Sequence, residues 1–267
     1  MVIRGMNAGT DLDVVLRGFI PPAVRKYAQD MIVGLARHTD LQLRHARVRV
    51  THHGDPAQQR PVTAQASVQF DGRRIRAQVA AATAREAIDL LADVLRHRMS
   101  RLEQHREVGQ GQTPSTTPSQ LRHGHEQTFR PDFLTRSDGE RKVLRHKAFE
   151  LVLCTPDEAI EDMELMGYRF QLFTDLESGQ DSIVYRSGAT GYRLAQVHPE
   201  PGHTRRTTAF MTTSPYPAAR LELAEAVERL NLTGWPFVFY ADPATGRARV
   251  LYRRYDGHYG LITPVGA

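Results

Sequence analysis

The residues whose types and spacing point most directly to chemistry are basic side chains in the first 108 residues. This stretch has 17 Lys or Arg against 11 Asp or Glu, a net charge of +6, whereas the whole chain carries +5. Such an excess predicts a polyanionic partner for this part of the chain alone. Only three of the 35 basic residues are Lys. Because Arg presents a planar fork that can hold phosphate through two hydrogen bonds, the expected chemistry is phosphate recognition.

Nine of these side chains are predicted to contact RNA: Arg17, Arg25, Lys26, Arg73, Arg74, Arg85, Arg96, Arg98 and Arg101. On a helical wheel, Arg85 and Arg96 lie on one flank of an apolar stripe, and Arg98 and Arg101 lie on the other. A helix that is basic along both flanks can reach phosphates in two directions. The residues alone leave a second interpretation open, in which these are ordinary charges on a solvated surface.

Patterns typical of enzymes and metal sites are missing from the sequence. The single cysteine, Cys154, cannot form an intrachain disulfide, and its apolar neighbours predict a small buried side chain. Two histidine clusters, His52-His53 and His123-Gly124-His125, have no Cys or carboxylate partner at a ligand spacing. No Ser-His-Asp signature, Gly-rich phosphate loop or His-Glu-x-x-His sequence occurs. We therefore expect neither an enzyme nor a metal site, and no cofactor.

The elements that must position the basic residues form a β-α-β-β-β-α unit. The predicted elements are, in order, a strand at 11–17, a helix after Pro21-Pro22, strands at 45–52, 62–70 and 74–80, and a helix from Thr83 to near Arg106. Asp71-Gly72 is a favoured two-residue hairpin turn, and Thr83 with Glu86 forms a capping box. The fold class is therefore α+β, with both helices on one face of a four-stranded sheet.

The second half of the chain is an internal repeat with a constant offset of 67 residues. The matching pairs are Gly167 and Gly234, Phe170 and Phe237, Asp175 and Asp242, Gly179 and Gly246, Tyr185 and Tyr252, Arg186 and Arg253, and Tyr192 and Tyr259. The expected domains are residues 1–108, a linker at 109–136 rich in Gly, Gln, Ser, Thr and Pro, and two tail copies at 137–197 and 205–267.

Each tail copy is predicted to be a small β-α-β-β unit. The predicted elements are a strand at 141–152, a helix at 155–166 and a hairpin from 166 in the first copy, and a strand at 207–211, a helix at 217–230 and a hairpin at 236–252 in the second. Both faces of each hairpin are apolar, and one short helix covers only one of them. The residues predicted to pack between tail copies are Phe170, Phe173, Tyr185, Phe237, Tyr240 and Tyr252.

A tethered partner competes well with a separate molecule, because tethering raises its effective concentration to roughly millimolar. We therefore expect the two copies to close on each other as a pseudo-twofold pair within one monomeric chain. Two alternatives stay open. Each copy could simply be small and rich in aromatic residues, or the copies could have diverged, since Trp235-Pro236 replaces Tyr168-Arg169, so that one copy dimerises with another chain.

Two segments resemble a known family. The stretch ATAREAIDLLADVLRHRMSRLEQHR, after the hairpin DGRRIRAQV, is similar to the second helix of the bacterial ribosome hibernation promoting factors. The stretch FVFYADPATGRARVLYRRYDGHYGLITP resembles the tail domain of the long form of that family, where tails pair two factors. This sequence departs from the family in carrying the tail twice.

The resemblance implies a factor that lodges in the small ribosomal subunit at the decoding region. There it would block messenger and transfer RNA and preserve idle ribosomes under stress, with the second helix against ribosomal RNA. An RNA-binding regulator acting away from the ribosome and a protein-interaction adaptor are the alternatives. Because no run of 18 apolar residues and no apolar N-terminal segment occur, we expect a soluble cytoplasmic protein with no membrane partner and no small-molecule substrate.

Overall fold

The structure is a computed structural model that describes residues 5–7, 10–37, 42–54, 59–70, 73–109, 137–188, 191–200 and 211–265. Its two compact units are residues 1–131 with 164–168, and residues 132–163 with 169–267. Most of the predicted linker, at 110–136, lies outside the described residues, as does the predicted strand at 207–210. None of the helices within the described ranges has the length and apolar character needed to cross a membrane.

The first unit has the predicted α+β fold. Its elements are β1 (Gly5–Asn7), β2 (Thr10–Arg17), α1 (Ala23–Arg37), β3 (Leu43–His52), β4 (Val62–Phe70), β5 (Arg73–Ala81) and α2 (Ala84–Gly109). The sheet follows chain order, from β1 to β5, with β2 and β3 parallel and the other neighbours antiparallel. It has one strand more than predicted, the three-residue β1 at its edge.

Strict alternation along the strands places the core of the first unit on one face of the sheet. Every second residue of β4, from Val62 to Phe70, is buried, and the residues between them are half-buried. The buried residues of α1 and α2, such as Ile32 and Leu91, pack in the same cluster, so both helices cover this one face. Thr83 caps α2 by accepting the Glu86 amide at 3.2 Å, and the Glu86 carboxylate accepts the Ala82 amide at 3.2 Å.

The second unit contains both tail copies, apart from residues 164–168 of the first copy. The elements of the first copy are β6 (Val143–Phe149), β7 (Leu153–Cys154), α3 (Pro156–Leu165), β8 (Phe170–Asp175), β9 (Asp181–Ser187) and β10 (Gly191–Gln196). Those of the second copy are β11 (Met211–Thr213), β12 (Ala219–Arg220), α4 (Leu223–Thr233), β13 (Phe237–Ala241), β14 (Ala248–Arg253) and β15 (Tyr259–Pro264).

The two copies exchange their first strands. One sheet has the order β11-β10-β9-β8-β7, and the other has the order β12-β13-β14-β15-β6. The first strand of the second copy, β11, therefore lies parallel to β10 of the first copy, and β6 of the first copy lies parallel to β15 of the second. Because each sheet is completed by a strand of the other copy, the two repeats share one compact unit.

The second tail helix differs from the prediction. It begins at Leu223, not at Pro217, and ends at Thr233. Residues 219–220 are instead the short strand β12, paired in parallel with Tyr240 and Ala241. The start is set by a capping box, in which the Glu222 side chain accepts an amide of the first turn and the Glu225 carboxylate accepts the Glu222 amide at 2.7 Å. Proline at 217 therefore marks the end of a loop.

The repeated Asp and Gly residues build the same turn in each copy. Gly179 (φ 66°) and Gly246 (φ 71°) have left-handed backbones that favour glycine, and each donates its amide to the carbonyl of Asp175 or Asp242 at 2.8 Å. The Asp175 carboxylate accepts the Ser178 amide at 3.2 Å. This turn chemistry explains why these residue types recur at an offset of 67.

Candidate nucleic-acid interface and the paired tail copies

Six of the nine predicted RNA-binding side chains are exposed on the first unit. They are Arg17, Lys26, Arg73, Arg74, Arg85 and Arg96. Since successive strand residues point to opposite faces, Arg73 lies on the side of the sheet that the helices cover and Arg74 lies on the open side. Arg17, one residue beyond the half-buried Leu16, also lies on the open side. The predicted set is therefore divided between two faces of the domain.

Two of the exposed arginines on α2 are held by neighbouring groups. The Arg85 guanidinium lies 4.9 Å from the ring centre of Tyr27, within the range of a cation–π contact. The Tyr27 hydroxyl donates to Asp89, and this bond raises the pKa of the phenol. Arg96 donates to Asp93 at 2.6 Å. Because the Arg96 pair is exposed, it is worth little and the arginine can exchange this partner for a phosphate.

The other three predicted residues make contacts inside the protein. Arg25 donates to the Val14 carbonyl, which ties α1 to β2. Arg98 is only 4% exposed and donates to the backbone carbonyl of Arg76 on the edge strand β5. Arg101 pairs with Glu164 at 3.0 Å, and both side chains are largely buried. The prediction that Arg98 is a surface residue is wrong, because the guanidinium satisfies a carbonyl that the sheet leaves unpaired.

The open face of the sheet carries arginines outside the predicted set. In the register of the sheet, Asp13, Arg47, Ser67 and Arg76 form one row across four strands. Arg47 pairs with Asp13 at 3.1 Å and stays 53% exposed. In the next row, the Arg49 Nε is buried without a hydrogen-bond partner. The alternation of Val and Arg in β3 was the signal that could have placed these side chains opposite the helices.

The first unit can therefore offer phosphate two basic surfaces. The helix-side surface consists of Lys26, Arg73, Arg85 and Arg96, and the open-face surface consists of Arg17, Arg47, Arg49, Arg74 and Arg76. Acidic side chains lie close to both surfaces, Asp89 and Asp93 on α2 and Asp11 and Asp13 on β2. Across the described ranges, no group of three or more His, Cys, Asp or Glu side chains is arranged to hold a metal ion.

In the second unit, aromatic rings of the two tail copies meet. The rings of Phe170 and Phe237 are 4.7 Å apart between centres, Phe170 lies 6.0 Å from Tyr252, and Tyr185 lies 5.4 Å from Phe237. These spacings suit tilted and edge-to-face packing. All four rings border one buried cluster with members from both copies, such as Leu172 and Val250.

The remaining two predicted interface residues lie on the opposite faces of their sheets. Tyr240 belongs to the cluster formed with Ala226 and Leu230 of α4, and it is fully buried there. Phe173, its counterpart at an offset of 67, is also fully buried, and it follows Leu172, which points toward the other copy. Because neighbouring strand residues alternate, Phe173 and Tyr240 lie on the sheet faces opposite the aromatic contacts, which corrects the prediction that they form part of that interface.

An ion pair between Asp181 and Arg247 joins the two copies. Arg247 donates from Nε to Oδ2 of Asp181 at 2.7 Å and from a terminal nitrogen to Oδ1 at 3.1 Å. The Ala248 amide also donates to Oδ2 at 2.9 Å. Asp181 is 7% exposed, and the hydrogen bonds to it raise the pKa of Arg247. Two donors in a fork geometry make this a strong, directional contact.

Two family models match the chain. The model described as Sigma 54 modulation protein / S30EA ribosomal protein matches residues 19–107. The model described as Sigma 54 modulation/S30EA ribosomal protein C terminus matches twice, at residues 138–194 and 210–261. The two C-terminal matches correspond to the two tail copies.

Two curated relatives have informative names. The dormancy associated translation inhibitor of Mycobacterium tuberculosis is 43% identical over 144 residues, which are 51% of this chain and 53% of that protein. The chain thus spans about half the length of this relative. The ribosome hibernation promotion factor of Deinococcus radiodurans is 27% identical over 176 residues, 64% of this chain and 90% of that protein.

Two solved structures are also similar to part of the chain. The N-terminal domain of Thermus thermophilus Protein Y is 24% identical, with a TM-score of 0.28, over 33% of this chain and 94% of that one. A ribosomal subunit interface protein from Coxiella burnetii is 18% identical, with a TM-score of 0.27, over 34% of this chain and 96% of that one.

Proposed function

Because the chain belongs to the Sigma 54 modulation/S30EA ribosomal protein family, we propose that it is a ribosome hibernation factor. The first unit binds the small ribosomal subunit at the decoding region, through ribosomal RNA. There it occupies the space of messenger and transfer RNA, and idle ribosomes are preserved under stress. The mechanism is steric competition, reinforced by contacts to phosphates, and it requires no cofactor.

The observation that carries this proposal is the coincidence of the N-terminal family match with the basic part of the chain. Residues 19–107 match the family, and the net charge of +6 lies in residues 1–108. The names of the relatives, a translation inhibitor and a ribosome hibernation promotion factor, point to the same activity. The helix-side surface is the proposed contact, with the open-face surface as the second candidate.

The proposed binding is electrostatic, which makes its salt dependence measurable. Each phosphate contact contributes about 0.7 to 0.9 to the slope of log affinity against log salt, because binding releases condensed counterions. Removing three such contacts should therefore lower the slope by about 2 to 3. Loss of three structural residues would instead lower affinity through unfolding, with no defined change in slope.

We further propose that the factor is monomeric and acts in the cytoplasm on single ribosomes. The support is the exchange of β6 and β11 between the two copies, which gives each tail sheet a partner within the same chain. A second chain at micromolar concentration competes poorly with a partner that is tethered at roughly millimolar effective concentration. Ribosomes should therefore sediment with this factor as single particles.

The test compares three charge-reversal variants in sucrose-gradient sedimentation with purified ribosomes. The helix-side variant is K26E/R73E/R96E, the open-face variant is R17E/R47E/R74E, and the matched control in the tail unit is R145E/R220E/R229E. All nine positions are exposed, and each variant changes the net charge equally. The helix-side variant should lose small-subunit binding and the tail control should keep it. Equal binding by all three variants would contradict the proposal.

A second arm separates ribosome binding from general RNA binding. The wild-type protein is titrated with a structured RNA duplex free of ribosomal proteins, at the same salt concentration. A hibernation factor should bind ribosomes far more tightly than this duplex. Equal affinities would favour a regulator that acts away from the ribosome, and retained ribosome association after every charge reversal would favour an adaptor that works through its tails.

A further inference from the structure

The aromatic contacts between the two tail copies obey a pseudo-twofold rule. Under the offset of 67, Phe170 and Phe237 are equivalent residues of the two copies, and they contact each other at 4.7 Å, as residues on a twofold axis do. The contact of Phe170 with Tyr252 corresponds to that of Tyr185 with Phe237, at 6.0 and 5.4 Å. The exchanged strands obey the same rule. On these contacts alone, two identical copies from different chains could pair as well as two unlike copies from one chain.

The ion pair between Asp181 and Arg247 breaks this rule. Asp181 corresponds to Ala248 in the second copy, and Arg247 corresponds to Gln180 in the first. The symmetry-related position therefore holds an amide and a methyl group where the observed position holds a carboxylate and a guanidinium. Of the two equivalent places in the interface, only one can form the forked contact at 2.7 and 3.1 Å.

Only unlike copies can form this pair. If two first copies met, each Asp181 would face a Gln180, and the nearly buried carboxylate would lose its charged partner. If two second copies met, each Arg247 would face an Ala248 and would have no carboxylate. Leaving a buried carboxylate without its charged partner is strongly unfavourable, and two first copies would suffer this penalty twice. Two second copies would lose the ion pair at smaller cost, because the Arg247 side chain is 38% exposed and water can solvate it.

We propose that the Asp181–Arg247 pair makes the tail interface heterotypic, so that a first copy selects a second copy and rejects a like copy. The occupant of each tail sheet is then the other copy of the same chain, which is also the closest one available. The aromatic contacts supply adhesion without distinguishing the copies, and the ion pair supplies the distinction. This inference concerns tail pairing alone and does not depend on ribosome binding by the first unit.

The test exchanges the charges between two full-length chains. In D181R the two interface groups are both cationic, and in R247D they are both anionic, so neither variant closes well on itself. When the two variants are unfolded, mixed in equal amounts and refolded, every first copy can find a second copy of opposite charge in the other chain. We expect the mixture to shift from the monomer mass of 30.1 kDa to twice that mass in light scattering, while each variant alone does not.

The control uses an ion pair within one copy. Arg254 and Asp256 pair at 2.7 Å inside the second copy, so mixing R254D with D256R offers no new match between chains. This mixture should stay monomeric. If the D181R and R247D mixture also stays monomeric, or if either variant alone dimerises as readily as the mixture, heterotypic selection is refuted.

A milder double-mutant cycle covers the case in which the charge reversals fail to fold. D181N keeps an acceptor for the Ala248 amide while it removes the charge, and R247Q removes the guanidinium. The two substitutions should lower the melting temperature by less together than the sum of their separate effects, because each removes the same contact. Strict additivity would show that the pair does not couple the copies and would overturn the proposal.

Discussion

Removing the aromatic contact between the tail copies is the most direct perturbation of their pairing. The variants are F170A and F237A, whose rings are 4.7 Å apart and half-buried in the shared cluster. A fully buried Phe→Ala change costs about 3–5 kcal/mol, so a half-buried ring should cost about 2–3 kcal/mol. Because the positions are equivalent under the repeat, the two variants should lose similar amounts of unfolding free energy.

The coupling free energy between the two rings tests their contact more specifically than either single substitution does. A tilted aromatic pair contributes about 0.5–1.5 kcal/mol beyond the area that it buries, so the double variant should be less destabilised than the sum by about this amount. Urea unfolding followed by tryptophan fluorescence measures it, because Trp235, the only tryptophan, lies in the tail unit. The emission therefore reports this unit rather than the first.

The matched control is F173A, which removes a fully buried ring from the opposite face of the same sheet. It should cost about 3–5 kcal/mol but should add independently to F237A, because Phe173 lies on the face of its sheet opposite the shared cluster. If F170A and F237A were additive, or if each cost less than about 1 kcal/mol, the rings would not hold the copies together. Coupling of F173A with F237A would equally refute the assignment of faces.

Three further predictions concern single residues. R98M should lower the unfolding free energy by about 1–3 kcal/mol in calorimetry, because it leaves the carbonyl of an edge strand unpaired, whereas R96A on the exposed side of the same helix should change it little. The native Cys154 thiol should react with a thiol reagent at pH 8 at least about 100-fold more slowly than in the urea-unfolded chain, since burial raises its pKa to about 11; equal rates would contradict this. The Arg254 side chain donates hydrogen bonds to Asp256 and lowers the pKa of that carboxyl. The stabilisation of the fold by this pair should therefore be complete above the unfolded-state pKa of about 4 and should be lost as the pH falls through the lower folded-state pKa. In a plot of melting temperature against pH, D256N should make the decline at acid pH less steep.

Local patterns were sufficient for the elements of the first unit. Alternation in β3 and β4, the proline before α1 and the Thr83 cap of α2 each act within a few residues of the chain. The repeat was equally visible, because the turns at Gly179 and Gly246 require the same residue types wherever they occur. Strands, helix caps and turns of this kind depend on residues that are neighbours in the chain, so the sequence alone is enough to predict them.

The same patterns could not distinguish which basic residues face solvent. Arg96 and Arg98 are two positions apart on one helix, yet Arg98 is only 4% exposed and binds a carbonyl of β5. The helical wheel places both beside the apolar stripe, but it contains no information on where the edge strand ends. A long side chain on the border of a core is buried or exposed according to what lies beside it.

The sequence by itself determined that the tail occurs twice, that each copy has two apolar faces, and that the single short helix of each copy leaves one of these faces to be covered by another surface. Only the tertiary structure decided that the copies exchange β6 and β11 and that Asp181 pairs with Arg247. It also decided that Phe170 and Phe237 contact each other across the interface, while Phe173 and Tyr240 lie on the opposite sheet faces. The reason is that periodicity assigns residues to two opposite faces without saying which face the helix covers. That choice, and the contact of residues 66 positions apart, depends on packing across the whole unit.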